Sequence, residues 1–307
     1  MTDRSSGMES WARRTIKVRA IRFGLAALVV VGVVASSMSM ADASPRSSGV
    51  DPTARALLPA NIKKSGVLID GIQAPNPPME YSKNGSSHWI GFDIDVVDAI
   101  AVKLGLKVTY DNQAFTQLIP SLETNRVQIV ASGLSDLKTR ESVANFIDYF
   151  KTGAQLFTSK ANFPKASNWA ALCGQTVEIN IGTSYIPDVA QLSAKVCKGK
   201  SPIKDIIVGG TIADQELQIK TGRAIAAVTA PENVGYLSTV SPGDWVTIGP
   251  VFAPSYYGIA FAKSQVALFN AATRAFKDIL QDGVYVQIAK RWHVTGSEVS
   301  KVMRNVG

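Results

Sequence analysis

Gly91-Phe92-Asp93-Ile94-Asp95 opens the stretch that decides the fold, residues 91–140. Ile94, Val97, Ala101 and Leu104 fall at i, i+3, i+7 and i+10, the single apolar stripe of a helix, and Gly105 supplies its C-terminal stop. Leu106, Val108 and Tyr110 then alternate with Lys107 and Thr109, a strand pattern. A second helix is expected near 116–124, a strand over Val127-Gln128-Ile129-Val130-Ala131, and a third helix near 138–144. Strands alternating with helices specify an α/β fold with a mainly parallel sheet. The stretch ends Ser132-Gly133-Leu134-Ser135-Asp136-Leu137-Lys138-Thr139-Arg140. Two serine hydroxyls, bare backbone amides and one guanidinium within nine residues suit a small carboxylate.

Outward from that stretch, the same unit recurs. Before it, Val67-Leu68-Ile69-Asp70-Gly71 reads as a strand, and the three prolines of 74–80 force a loop. Ser82 to Ser87 reads as a hairpin turn before Trp89. After it, strands are expected at Gln155–Thr158, Gln175–Ile181, Ile225–Val228 and Ile259–Ala262. Helices are expected to end at Gly222, to start at Glu232 and to run from Val266 to Leu280. A terminal helix around Ile288, Arg291 and Trp292 is expected to close the chain.

The N-terminus reads as a targeting segment. Arg13, Arg14, Lys17, Arg19 and Arg22 precede an apolar run from Phe23 to Ala35, and Ala41-Asp42-Ala43 offers a cleavage site. The run is shorter than the roughly 20 residues that span a bilayer. Residues 1–43 are therefore expected to be a cleaved signal peptide, with no lipid-anchoring cysteine beside the cut, and 44–60 a flexible leader rich in Ser, Pro and Ala. The protein would be periplasmic or extracellular. Part of the formal charge of +8 sits in this basic segment, and most of it in the rest of the chain. Elsewhere no basic run with interleaved aromatics supports nucleic-acid binding. Cys173 and Cys197, the two cysteines of the chain, are expected to form a disulfide in an oxidising compartment. The two histidines, His88 and His293, lie far from both, and no metal site is expected.

The order of these pieces resembles the extracytoplasmic solute-binding proteins of amino-acid ABC importers, solute-binding family 3, over about residues 60–295. The resemblance implies a two-lobe periplasmic-binding-protein fold of the type II kind, with 61–153 plus 256–307 as lobe one and 154–255 as lobe two. Crossovers would lie near Gly153-Ala154-Gln155 and Pro254-Ser255-Tyr256. It implies that Arg140 and the amide at Ser135 hold a carboxylate, with Ser132 and Gly133 bonding the head group. Asn180, Thr183 and Ser184 would form the second clamp, and Phe115 an apolar wall. No cofactor is implied, and the partners are an amino-acid-like solute and a membrane permease, the protein itself acting as a monomer.

Two departures bear on the solute. Relatives that bind α-amino acids place an ammonium-binding aspartate after the lobe-two strand that follows Gly-Arg; this chain has Ala230 there. Glu232 or Glu80 would substitute, or the solute's cation is weak, delocalised or absent. Asn76 stands where many relatives place an aromatic. An exported dehydratase-like enzyme acting on a small carboxylic acid, with Glu232 as general acid, is the alternative reading.

Overall fold

The computed structural model describes residues 49–86 and 88–307. The expected signal peptide, 1–43, and the first residues of the expected leader lie outside the described residues. The elements run α1 (Pro52–Ala56), α2 (Ala60–Ser65), β1 (Val67–Ile72), β2 (Tyr81–Ser82), β3 (Trp89–Ile90), α3 (Phe92–Leu104), β4 (Lys107–Asn112), α4 (Leu118–Glu123), β5 (Ile129–Val130) and α5 (Lys138–Glu141). The long strand β6 (Ala144–Ser159) leads into β7 (Thr176–Asn180), α6 (Tyr185–Val196), β8 (Lys204–Val208), α7 (Ile212–Lys220), β9 (Ala226–Thr229) and α8 (Pro231–Val240). A second long strand, β10 (Trp245–Ala262), returns to α9 (Val266–Gln281), α10 (Val284–Arg291) and β11 (Glu298–Arg304).

The strand order is β4-β1-β5-β10-β6-β9-β7-β8, with β11 on β6. β1 pairs in parallel with β4 and β5, and β7 in parallel with β8 and β9. These two parallel groups are the sheets of the two lobes. Between them run β6 and β10, antiparallel to each other and shared by both. Their register is regular from Trp245 to Ile248 and again near the end of β10. It shifts between Ile248 and Phe252, between Phe252 and Ser255, and between Tyr257 and Gly258. The irregular middle is where the ladder passes from one lobe to the other.

Each lobe has its own core. In the first, α3 and α9 bring Phe92, Val96, Ile100, Phe276 and Ile279 against Ile147, Tyr149 and Phe150 of β6. The expected stripe faces inward as the period requires, and Gly105 caps α3 in the left-handed conformation, with φ 66°. In the second, Val177, Ile179, Val189, Leu192 and Val228 pack together beside Trp169. The Cys173–Cys197 disulfide is formed, with the Cα atoms 5.5 Å apart, and ties the start of β7 to the end of α6.

Three expectations need correction. Residues 51–58 are not a leader. Asp51 caps α1, Pro52 sits at its first turn, and Ala54 and Leu58 are buried. Arg55 donates to the carbonyls of Leu104 and Gly105, fixing α1 to the end of α3. Small residues read as loose composition, yet here they permit close packing. Second, the chain does not close on α10: β11 follows and pairs with β6. Third, the helix expected near 138–144 is a single turn, because β6 already begins at Ala144.

Asp148 of β6 illustrates how burial writes itself into titration. Its carboxyl is pushed up to about 8, first by burial and then by the neighbouring Asp136 charge. Asp136 in turn accepts from the amides of Val306 and Gly307. Between the ordinary value of 3.8 and about 8, the folded chain holds a proton that the unfolded chain releases. The contribution of this group to stability therefore falls as pH rises through that window. Asp148→Asn is expected to flatten the decline of Tm between about pH 5 and pH 8, read by thermal denaturation at several pH values. Replacing both Cys173 and Cys197 by serine is expected to cost about 3 kcal/mol in urea unfolding, from the loop the bridge closes.

Candidate functional site

A cavity of about 500 Å³ opens between the lobes. Its floor in lobe one is made by the loop after β1, the loop after β5 and the short 3-10 turn at Phe115–Gln117. Its roof in lobe two is made by the β7–α6 turn, the loop after β8, and the start of α8. All these walls lie at the carboxyl ends of parallel strands, where open α/β sheets place their ligands.

Arg140 stands at the seam. One guanidinium nitrogen donates to the carbonyl of Ser135 at 2.8 Å, and another crosses to the carbonyl of Gly182 in lobe two at 3.0 Å. The guanidinium lies 5.7 Å from the centroid of the Phe115 ring, a cation–π arrangement. Among the described residues it forms no ion pair; the neighbouring Glu141 is paired with Lys138 instead. Burial lowers its pKa to about 10, so it stays charged at neutral pH. Two glycines make the approach possible. Gly133 adopts φ 52°, and a side chain there would press on Asn76 and the Tyr257 ring. Gly182 adopts φ 78°, with Thr116 of the opposite lobe at 2.9 Å from where a Cβ would be. Thr183 and Ser184 follow it into the start of α6, a 12-residue helix, and line the cavity with Tyr185.

Below the floor lies a layer of buried acids. Ser132 donates to Glu80 at 2.6 Å and accepts from the amide of Gln73. Asn76 donates to the same Glu80 oxygen, and Asp93 accepts the amide of Gly133 at 2.8 Å. Burial pushes Glu80 well above the usual carboxylate range and Asp93 to about 6. This layer holds the 132–133 turn in place.

The cavity wall gathers nine of the expected site residues: Arg140, Ser135, Ser132, Gly133, Thr183, Ser184, Asn180, Asn76 and Phe115. Glu232 is not among them. It lies behind Tyr257, where both its oxygens accept from Thr152 of β6 at 3.2 Å, and burial raises it to about 7. The reason is helical rotation: about 100° per residue separates it from its neighbour Asn233, which does face the cavity. Asn233 escaped the sequence reading. It donates to the side-chain oxygen of Asn76 at 2.9 Å and to the carbonyl of Pro77 at 2.7 Å, both across the cleft. Thr229 donates to its oxygen from the end of β9. Tyr185 and Tyr257 were also missed and line the same space. No motif marks these three, because their partners lie on distant segments.

Comparison with known proteins fits this architecture. The sequence model of the bacterial extracellular solute-binding proteins, family 3, matches residues 68–295. The arginine-binding protein ArgT of Corynebacterium glutamicum is 26% identical over 294 residues, covering 91% of this chain and 95% of that protein. Among solved structures, a mutant ArgBP from T. maritima superposes with a TM-score of 0.67 at 27% identity, covering 78% of this chain and 99% of the other. An ancestral arginine-binding protein bound to glutamine gives 0.66 at 27% identity, covering 75% and 98%. These relatives are named for binding, not for catalysis. The chain belongs to the bacterial extracellular solute-binding proteins of family 3, a binding protein rather than an enzyme.

Proposed function

We propose that this protein captures a polar amino acid or amino-acid-like carboxylate outside the cytoplasm and delivers it to the membrane permease of an ABC importer. The observation that carries the reading is the position of Arg140, a guanidinium in a cleft, facing a helix N-terminus and free of any carboxylate partner among the described residues. Such a group is built to receive an anion. Arg140, the Ser135 segment and the first amides of α6 clamp the carboxylate. Ser132, Gly133, Asn180, Thr183 and Ser184 surround the head group, with Asn76 and Phe115 along the body of the solute.

Closure works through the two shared strands. The irregular middle of β6 and β10 is the hinge, at 153–155 and 254–256, so that 61–153 plus 256–307 rotates against 154–255. The permease reads the closed shape. Residues 1–43 direct export and are removed, and the mature protein acts as a monomer. Among the described residues no helix is long and apolar enough to cross a membrane.

Removing the guanidinium is the direct test. Arg140→Ala is expected to weaken solute binding by about 100-fold, the worth of a charge-assisted pair of about 3 kcal/mol, while the thermal unfolding profile of the solute-free protein stays close to wild type. Calorimetric titration with a solute found by thermal-shift screening reads it; unchanged affinity would refute the site. The cross-cleft amide has a separate signature. Asn233→Ala removes two hydrogen bonds between the lobes and is expected to shift the solute-free protein toward the open form, with a larger radius of gyration by small-angle scattering. Affinity should fall by about tenfold as closure becomes harder.

A further inference from the structure

We infer that the solute of this cleft is a carboxylic acid without a free ammonium group, its amine masked by acylation or replaced by a hydroxyl, and its body neutral and rich in hydrogen-bonding groups. The inference rests on reading the cavity as the solute site. It narrows the solute class and separates this chain from the arginine- and glutamine-bound relatives.

The charge inventory of the wall is the first argument. Arg140 is the one charged side chain among the described residues that line the cavity. The rest of the polar lining is amide and hydroxyl, with Gln73, Asn112, Gln113 and Asn180 prominent. Amides and hydroxyls satisfy hydrogen bonds but neutralise no charge. An ammonium enclosed here would lose its hydration and gain no counterion. It would also share the cavity with a guanidinium, a like charge. A free arginine, with two cationic groups, is the worst fit of all.

The acids that could compensate lie outside the cavity lining. Glu80 and Asp93 sit beneath the floor, holding Ser132, Asn76 and the amide of Gly133. Glu232 is turned toward Thr152 in the hinge strand. Burial raises all three, Glu80 well above the usual carboxylate range, Asp93 to about 6 and Glu232 to about 7.

The acceptors at the start of α8 form the second argument. Ala230, just before that helix, is fully buried and offers only a methyl group. One turn on, the Asn233 oxygen accepts from Thr229 and its amide nitrogen donates to Asn76 and Pro77. The Asn76 oxygen is thereby occupied too. An ammonium must donate three hydrogen bonds. Each of these amide oxygens keeps a second lone pair, which accepts a bond but supplies no charge. The wall that would receive a cation is instead spent on joining the two lobes.

Calorimetric titration of the purified protein, stripped of bound solute by dialysis, tests this with matched pairs. L-glutamine would be set against N-acetyl-L-glutamine, L-serine against glycerate, and L-arginine titrated alone. The expected result is at least tenfold tighter binding of the amine-free member in one pair or more, with no heat from arginine at millimolar concentration. Gln73→Glu, which returns a carboxylate to the wall, should narrow that preference at least fivefold. Tighter binding of the free amine in the pairs, or binding of arginine, with Arg140→Ala abolishing it, would overturn this inference and leave the solute site standing. An unchanged preference in Gln73→Glu also counts against it. No binding of any of these acids by wild type, with Arg140→Ala indistinguishable from it, would overturn both the inference and the site.

Discussion

A cation held between two lobes and, among the described residues, in no ion pair is the constraint around which the rest of this molecule is arranged. Arg140 is steadied by carbonyl oxygens, Ser135 on one side and Gly182 on the other, and by the face of Phe115. Carbonyl dipoles orient a guanidinium without cancelling its charge. That charge is therefore left to act on whatever enters the cavity. The geometry needs Gly133 and Gly182, since a side chain at either position would push against a neighbouring segment. It also needs a firm floor, which the Glu80 and Asp93 layer provides from below.

The buried acids show how a protein separates scaffolding charge from functional charge. Glu80, Asp93 and Glu232 all lie close to the cleft, yet each is bound to a neighbouring hydroxyl or amide and turned away from the space itself. Burial raises the pKa of all three, Glu80 well above the usual carboxylate range. Asp136 and Asp148 are likewise raised by burial, and Asp136 accepts from the amides of Val306 and Gly307. The result is a cleft whose electrostatics are dominated by one positive group.

Much of this was legible in the sequence because periodicity and punctuation are local. The stripe Ile94, Val97, Ala101 and Leu104, stopped by Gly105, produced α3 within one residue of its observed start. The Ser132–Arg140 segment was readable because hydroxyls, glycine and arginine occur within one turn-and-helix span. What stayed hidden depends on distance along the chain. Asn233 meets Asn76 across 157 positions, and no local pattern carries that information. Helix α6 was concealed by Pro187 in its first turn, a position that tolerates proline because its amide would be unpaired anyway. Strand β8 escaped because it is an edge strand, half exposed, with no clean alternation. Glu232 was misplaced by one residue of helical rotation.

The two long strands carry a consequence for how the chain is made. β10 contributes its final residues, from Tyr256 to Ala262, to the sheet that begins with β1 at Val67 and gains β5 at Ile129. The first lobe thus stays incomplete until the second has emerged in full, whereas the second is nearly contiguous. Such non-local pairing is slow to form and leaves apolar strand edges bare in the interval. Along the chain, the second lobe's elements β7 to α8 are complete before α9, α10 and β11 of the first follow.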